Sequence, residues 1–198
     1  LNDLGNDLFI PFKELAMIKK RIQFVLNGSR AMISPINVPR PRNTTGVGAT
    51  PTLSLLISSE NDLHLCKETA AAIFFQLPNS LKNRCSELVK LFVTNRRLIP
   101  WFPSVLIGED YHAAVELLQQ VAPERIVTNN TGIAYEAFQQ GISWIAGPYL
   151  NLVNSFSLLC LKEKFNCTGA FISNEINKNQ IKRIVRPDSF ELFYSIYH

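Results

Sequence analysis

The first strand-like run of this chain, LSLLIS (Leu53 to Ser58), is followed by Ser59-Glu60-Asn61-Asp62, with no glycine. A dinucleotide-binding, doubly wound sheet needs a Gly-rich turn there, so that the backbone can approach a pyrophosphate, and its absence argues against that fold. There is no H-E-x-x-H and no Cys/His cluster with zinc spacing, so no metal site is read. There is no G-x-S-x-G elbow, and no cysteine stands beside a plausible base. Cysteine is sparse: Cys66, Cys85, Cys160 and Cys167 form no C-x-x-C pair, and they read as reduced, inert thiols in a reducing compartment. No apolar run reaches the length of a membrane span. The opening LNDLGNDLF has neither a basic start nor an apolar signal core, so the chain reads as cytoplasmic, with no membrane partner.

What is present is an alternation of two periods. Residues 7–27 carry Phe12, Leu15, Ile18, Ile22, Val25 and Leu26 at three- and four-residue steps, which predicts a helix stopped at Asn27-Gly28. Residues 28–52 hold Pro35, Pro39, Pro41 and Pro51 with Gly46 and Gly48, a linker or extended arm. Domain organisation is therefore read as 1–52, the helix and linker closing a preceding domain, and 53–198, an α/β domain. Seven apolar runs follow: LSLLIS, AAIFFQL, LIPWFPSVLI, ERIVTN, ISWIAG, TGAFIS and FELFYSIY. Segments with helical periodicity separate them, at 60–68, 80–94, 110–121, 134–140, 154–165 and 178–185. Nearly continuous apolar strands joined by helices predict a parallel sheet buried on both faces. The fold class is α/β, a partial TIM-like (β/α) barrel of about seven parallel strands. The chain stops directly after a strand-like run, which is expected of a fragment truncated at its C-terminus. The remainder of the parent chain is expected to pack against it.

In such a barrel the C-terminal ends of all strands open on one face, where function sits. Three successive runs end in polar residues there: Asn129-Asn130, then Asn151 with Asn154 close behind, then Ser173-Asn174-Glu175. His198 closes the seventh. Amide and hydroxyl groups donate and accept, which suits a base, an amide or a sugar. The candidate substrate-binding set is therefore Asn129, Asn130, Asn151, Asn154, Ser173 and His198, with Glu175 as the candidate acid, base or anchor. The same residue types also favour turns and helix N-caps, and Asn154, Thr131 and Asn177 precede or open predicted helices. Glu175 has no carboxylate partner in sequence, which speaks against paired-carboxylate hydrolysis. His64 and His112 read as surface or packing residues.

The chain is mildly basic, with a formal charge of +4 and a pI near 8.9. Arg40 and Arg42, Arg96-Arg97, and Lys178, Lys182, Arg183 and Arg186 are the cationic clusters. They would suit phosphates, though a solvated face explains them as well. Trp101, Trp144, Tyr149 and Tyr197 lie in or just after strands, where barrel packing is the expected use and base stacking the alternative.

Gly147 to Ser155 (GPYLNLVNS), Leu161 to Phe165 (LKEKF) and Phe171 to Ile181 (FISNEINKNQI) together resemble the peptidase U32 family, the collagenase-like proteases. Family members show a strand ending in N-x-x-N-S, a helix, then a strand ending in S-x-E-L, with Q-I a few residues on. Ile176 stands here where the leucine would be. The opening FIPFKELAMIKKR is similar to a segment that precedes a second barrel-like region in large members. The resemblance covers most of residues 8–20 and 98–198. It implies a TIM-like barrel and a bacterial parent protein acting in RNA hydroxylation, at a cytidine of 23S rRNA, with rRNA or a ribosomal precursor as partner. The family's name implies instead a peptidase, a hydrolase. A third reading is a non-catalytic barrel half serving as scaffold or binding module. Several members carry an iron–sulfur cluster on four cysteines. The four cysteines here do not match those positions, and the E-x-F-x-x-G-A-x-C signature is absent, so no cofactor is expected within this stretch and a cluster would belong to the rest of the full-length protein.

Overall fold

The computed structural model describes residues 11–28 and 50–196. The chain divides into two compact units, residues 1–40 and 41–198. In the first, α1 (Phe12–Leu26) starts directly after Pro11, and every one of its residues is exposed. It ends as expected, with Gly28 at φ +66°. Most of the Pro-rich stretch, including Arg40 and Arg42, lies outside the described residues, as do Tyr197 and His198.

The second unit alternates strands and helices: β1 (Ser54–Ile57), α2 (Leu65–Glu68), β2 (Ala72–Gln76), α3 (Cys85–Thr94), β3 (Leu98–Phe102), α4 (Glu109–Val121), β4 (Arg125–Thr128), α5 (Thr131–Gln139), β5 (Ser143–Ala146), α6 (Ser155–Phe165), β6 (Cys167–Phe171), α7 (Lys178–Ile181) and β7 (Glu191–Phe193). All six strand pairings are parallel and the sheet order is the chain order. Each strand therefore crosses over through its helix to the next neighbour, as the alternating pattern predicts. Several elements are shorter than their apolar runs. α3 begins at Cys85 because residues 80–84 form a loop held by Asp110, whose Oδ1 accepts from the N–H groups of Leu81 (2.7 Å) and Lys82 (3.0 Å). Those two N–H groups favour the ionised carboxylate and hold the Asp110 pKa below its ordinary value. α7 is a single turn, and β7 stops at Phe193.

The sheet is curled. In a flat sheet β2 and β7, five strand spacings apart, would stand roughly 24 Å from each other. Instead the rings of Phe74 on β2 and Phe193 on β7 have centroids 6.0 Å apart, and Phe74 lies 6.1 Å from Phe171 on β6. Phe74, Trp101, Val127, Ile145 and Phe171 are buried together on the inner face, with Phe193 against them. Their strand neighbours Ile73, Phe75, Phe102, Ile126, Trp144 and Ala170 belong to a separate outer core, shared with the helices. Period-two alternation thus feeds two hydrophobic layers, one inside the curl and one between sheet and helices. At the opposite end of the interior Arg125 of β4 reaches Glu191 of β7, with N–O distances of 2.9 and 3.1 Å, spanning three strand spacings.

Two backbone features fit β3 and β6 into this curl. Pro100 sits within β3 and has no N–H to donate, and the ladder to β4 begins only one residue later, at Trp101. In β6 the register shifts: Trp144 pairs with Cys167, but Ile145 pairs with Gly169, leaving Thr168 as an extra residue. Gly169 then faces inward, where a Cβ would lie 3.1 Å from both the Cβ of Glu191 and the ring of Phe193.

Phe74 touches inner-face partners on both sides of the curl, so Phe74→Ala should cost about 3–5 kcal/mol of stability. Leu56, its register partner on β1, is 48% exposed. Leu56→Ala should cost clearly less. Urea unfolding followed by tryptophan fluorescence checks both, and equal losses would mean that the inner cluster is not what holds the curl.

Candidate functional site

Two residues beyond each member of the inner cluster, and so next on the same face by strand alternation, come Gln76, Pro103, Asn129, Gly147 and Ser173. Asn129 and Ser173 are buried, at 5% and 4% exposure, at the ends of β4 and β6, with β5 between them. Gly147 stands between them on β5's end. A Cβ there would lie 2.1 Å from Asn129 Oδ1, so the Asn129 side chain fills the space that any larger residue at 147 would need. The same oxygen accepts the backbone N–H of Tyr149 at 3.0 Å. Asn129 thus fixes the turn Pro148–Leu150, a 3₁₀ turn closed by Asn151 in the left-handed region at φ +53°.

The other candidates are placed differently. Asn130 is the N-cap of α5: its Oδ1 accepts from Ile133 N at 3.1 Å, and its Nδ2 donates to Ser104 O at 3.0 Å, tying the loop after β3 to the start of α5. Asn154 caps α6 in the same way, accepting from Ser157 N at 3.0 Å. Both amides are therefore occupied by helix ends. Asn151 is exposed on the loop after β5. Glu175 is exposed on the loop after β6, where its backbone N–H donates to Ser173 Oγ at 3.2 Å. Asn177 closes that loop with a capping box to Gln180. Of the candidates, Asn129 and Ser173 are thus buried at strand ends, while Asn151 and Glu175 are exposed on the loops after β5 and β6. His198 lies outside the described residues.

The loops after β5 and β6 are joined. Leu152 bridges Ile172, Ser173 N donates to Leu152 O at 3.1 Å, and Val185 N donates to Ser155 Oγ at 2.8 Å. An open depression lies at the ends of β1 and β2, lined by Ser58, Gln76, Leu77, Pro78 and Arg84. Arg84 is engaged there with Glu60 and Glu87, each at 3.2 Å.

Of the aromatic and cationic residues singled out in the sequence, Trp101 fills the inner cluster, and Trp144 donates from Nε1 to Phe165 O at 2.7 Å. Both are packing residues. Arg97 binds the carbonyls of Cys66, Thr69 and Ala71, and Arg96 that of Val121, so this pair closes the C-terminal ends of α2 and α4. Tyr149 is not a core residue: it is 75% exposed, on the loop after β5. Sequence reasoning missed Thr128, fully buried beside the site, whose hydroxyl accepts from Asn130 N and donates to Asn130 O. It also missed the anchoring role of Asp110. A Thr immediately before the Asn pair was the available signal for the first.

All four cysteines are free and sit on four different elements: α2, α3, α6 and β6. Among the described residues no three of His, Cys, Asp and Glu gather as metal ligands. The chain's own thiols therefore do not fit the four-cysteine cluster that the family resemblance implies. Cys167 is buried at the bulge and donates to Gly169 O, and burial pushes its pKa up to about 12. No helix among the described residues is long and apolar enough to cross a membrane. Comparison with family models, with curated proteins and with solved structures finds no match to this chain.

Gly147→Ala should destabilise the fold by about 1–3 kcal/mol, because the new methyl meets the Asn129 amide. In an Asn129→Ala background the same change should cost much less, a coupling that a double-mutant cycle in urea measures. Additive losses would show that the two positions do not share that space. With so high a pKa, Cys167 should resist iodoacetamide at pH 8 in the folded chain, while exposed Cys160 alkylates. Peptide mass mapping reads both, and early alkylation of Cys167 would contradict its burial.

Proposed function

We propose that this chain is part of a collagenase-like-family protein that acts in RNA hydroxylation, at a cytidine of 23S rRNA, in the bacterial cytoplasm. The reading rests on the placement of the resembling stretch. Gly147 to Ser155 and Phe171 to Ile181 are the two joined loops that follow β5 and β6, at the barrel face where function sits. The polar groups at that face, Asn129 and Ser173 within and Asn151 and Glu175 above, suit hydrogen bonding to a nucleobase. In this reading Glu175 is an anchor for a base edge rather than half of a hydrolytic pair. Any iron–sulfur cluster is carried by other parts of the parent protein.

A second reading, a non-catalytic scaffold or binding half, is favoured by one observation. Asn130, Asn154 and Asn177 are all used as helix caps, which leaves fewer free groups at the mouth than the sequence offers. One experiment separates the two. Deleting the parent gene should remove a single hydroxylated cytidine from 23S rRNA, seen by mass spectrometry of nuclease fragments, and the full gene should restore it. The Glu175→Ala and Asn151→Ala forms of the full gene should restore it poorly. Full restoration by both would favour the scaffold, and an unchanged cytidine in the deletion strain would reject the hydroxylation reading. Cleavage of collagen or peptides by the full-length protein would favour the peptidase instead.

A further inference from the structure

We propose that the joined loops after β5 and β6 form a path for single-stranded RNA, with Tyr149 as the platform on which a base stacks and Lys178, Lys182, Arg183 and Arg186 as the phosphate contacts. The inference rests on the RNA reading above and gives it a binding surface. Three observations carry it.

The first is the state of Tyr149. A tyrosine in the core would bury its ring, and one on a loose loop would have an unanchored backbone. Here the backbone is fixed at both ends of the turn, by Asn129 Oδ1 on its own N–H and by the left-handed Asn151 two residues on, while the residue stands 75% exposed. A ring carried in water on an anchored backbone has less ordering entropy to lose on binding than one on a loose loop. Phe156, in the first turn of α6, adds a second half-exposed ring beyond the same loop.

The second is the arrangement of cations. Lys178, Lys182, Arg183 and Arg186 are all exposed, and none forms an ion pair among the described residues. The acidic residues in the same stretch are Glu175 and Asp188, so residues 174–188 carry four cations against two carboxylates. By contrast Arg84, Arg96, Arg97 and Arg125 are engaged in holding the fold together.

The third is that the segments bearing the rings and the cations are joined to one another. The bond from Val185 N to Ser155 Oγ places the basic segment beside the residue preceding Phe156, and the contacts of Leu152 with Ile172 and Ser173 bind the Tyr149 loop to the strand from which that segment emerges. Aromatic faces beside unpaired cations are what a single strand requires, because its bases are free to stack and its phosphates are spaced along the groove. A duplex hides its base faces and offers only the phosphate half of that interaction.

The test is fluorescence anisotropy with the full 198-residue chain and a labelled uridine RNA of about twelve nucleotides, a length within the range one such surface spans. The chain should bind this strand more tightly than a duplex of equal length. Tyr149→Ala should weaken binding about five- to hundredfold, while Tyr149→Phe keeps it. Lys182→Gln with Arg183→Gln should lower the slope of log affinity against log salt by about 1.4, at about 0.7 per lost contact. Lys67→Gln with Lys90→Gln, exposed cations on α2 and α3, should leave the slope unchanged. Circular dichroism confirms that each variant is folded, and Tyr149→Leu, which keeps the bulk but not the π-face, stands in should the alanine variant fail. Equal affinity for duplex, no loss in the folded variant lacking the ring, or the same slope change from the control pair would each overturn the proposal. The two proposals fail separately. Strand binding that depends on Tyr149, with the cytidine still hydroxylated in the deletion strain, leaves the surface standing and rejects the hydroxylation reading. Full restoration of the cytidine by a Tyr149→Ala gene, with binding unchanged, does the reverse.

Discussion

The convergence of Phe74, Trp101, Phe171 and Phe193 inside the curled sheet is the constraint on which the rest of this structure depends. These rings come from β2, β3, β6 and β7, and meet edge to face or stacked at centroid distances of 4.9 to 6.1 Å. Aromatic pairs at such distances add to what burial alone contributes. Their more important effect is geometric. Strands far apart in the sheet order can share contacts only if the sheet bends, and the bend then sets where every strand end points. The Arg125–Glu191 pair does the same at the opposite end of the interior, but it is half-exposed and contributes little by itself.

The curl also explains why so few polar groups at the mouth are free. Each parallel crossover carries a helix that starts on the side of the sheet where the strands end, and each helix start presents N–H groups that need partners. Asn130, Asn154 and Asn177 meet that need. What remains for a ligand is set one layer further in and one layer further out. Asn129 and Ser173 lie within the barrel, and Asn151, Tyr149 and Glu175 stand on the loops above. Asn129 links the layers, because the amide that fills the space beside Gly147 also fixes the backbone beneath Tyr149. The loop at this face is thus tied to the strand ends beneath it through the Asn129 side chain.

The fold was legible because hydrophobic burial on two faces leaves a plain trace. Runs such as AAIFFQL and ISWIAG have no polar alternation, and only a sheet covered on both sides tolerates that. The order of the strands followed from the helical segments between them. What was not legible depended on contacts between distant residues. Nothing local in residues 80–84 says that Asp110 will hold them out of a helix. The periodicity of 178–185 does not reveal that its helix lasts one turn before the chain turns back along α6. The site was legible as a face but not as a set of roles, since an Asn that caps and an Asn that lines a pocket occupy the same place in sequence. Asn129 and Asn130 are adjacent, yet the first is buried at the mouth and the second is spent on α5. Tyr149 and Trp144, both near the end of β5, differ as much: one ring is in solvent and the other beneath α6.

The surplus residue in β6 has a consequence for how this barrel tolerates change in chain length. Cys167 and Gly169 already pair with the adjacent residues Trp144 and Ile145, as if Thr168 were not there. A one-residue deletion in a sheet normally turns all that follows inside out. Removal of Thr168 would instead leave Gly169, Phe171 and Ser173 facing the interior and merely straighten the strand. The bulge is thus a slack link, a point where an ancestral chain could gain or shed a codon without disturbing the mouth it serves.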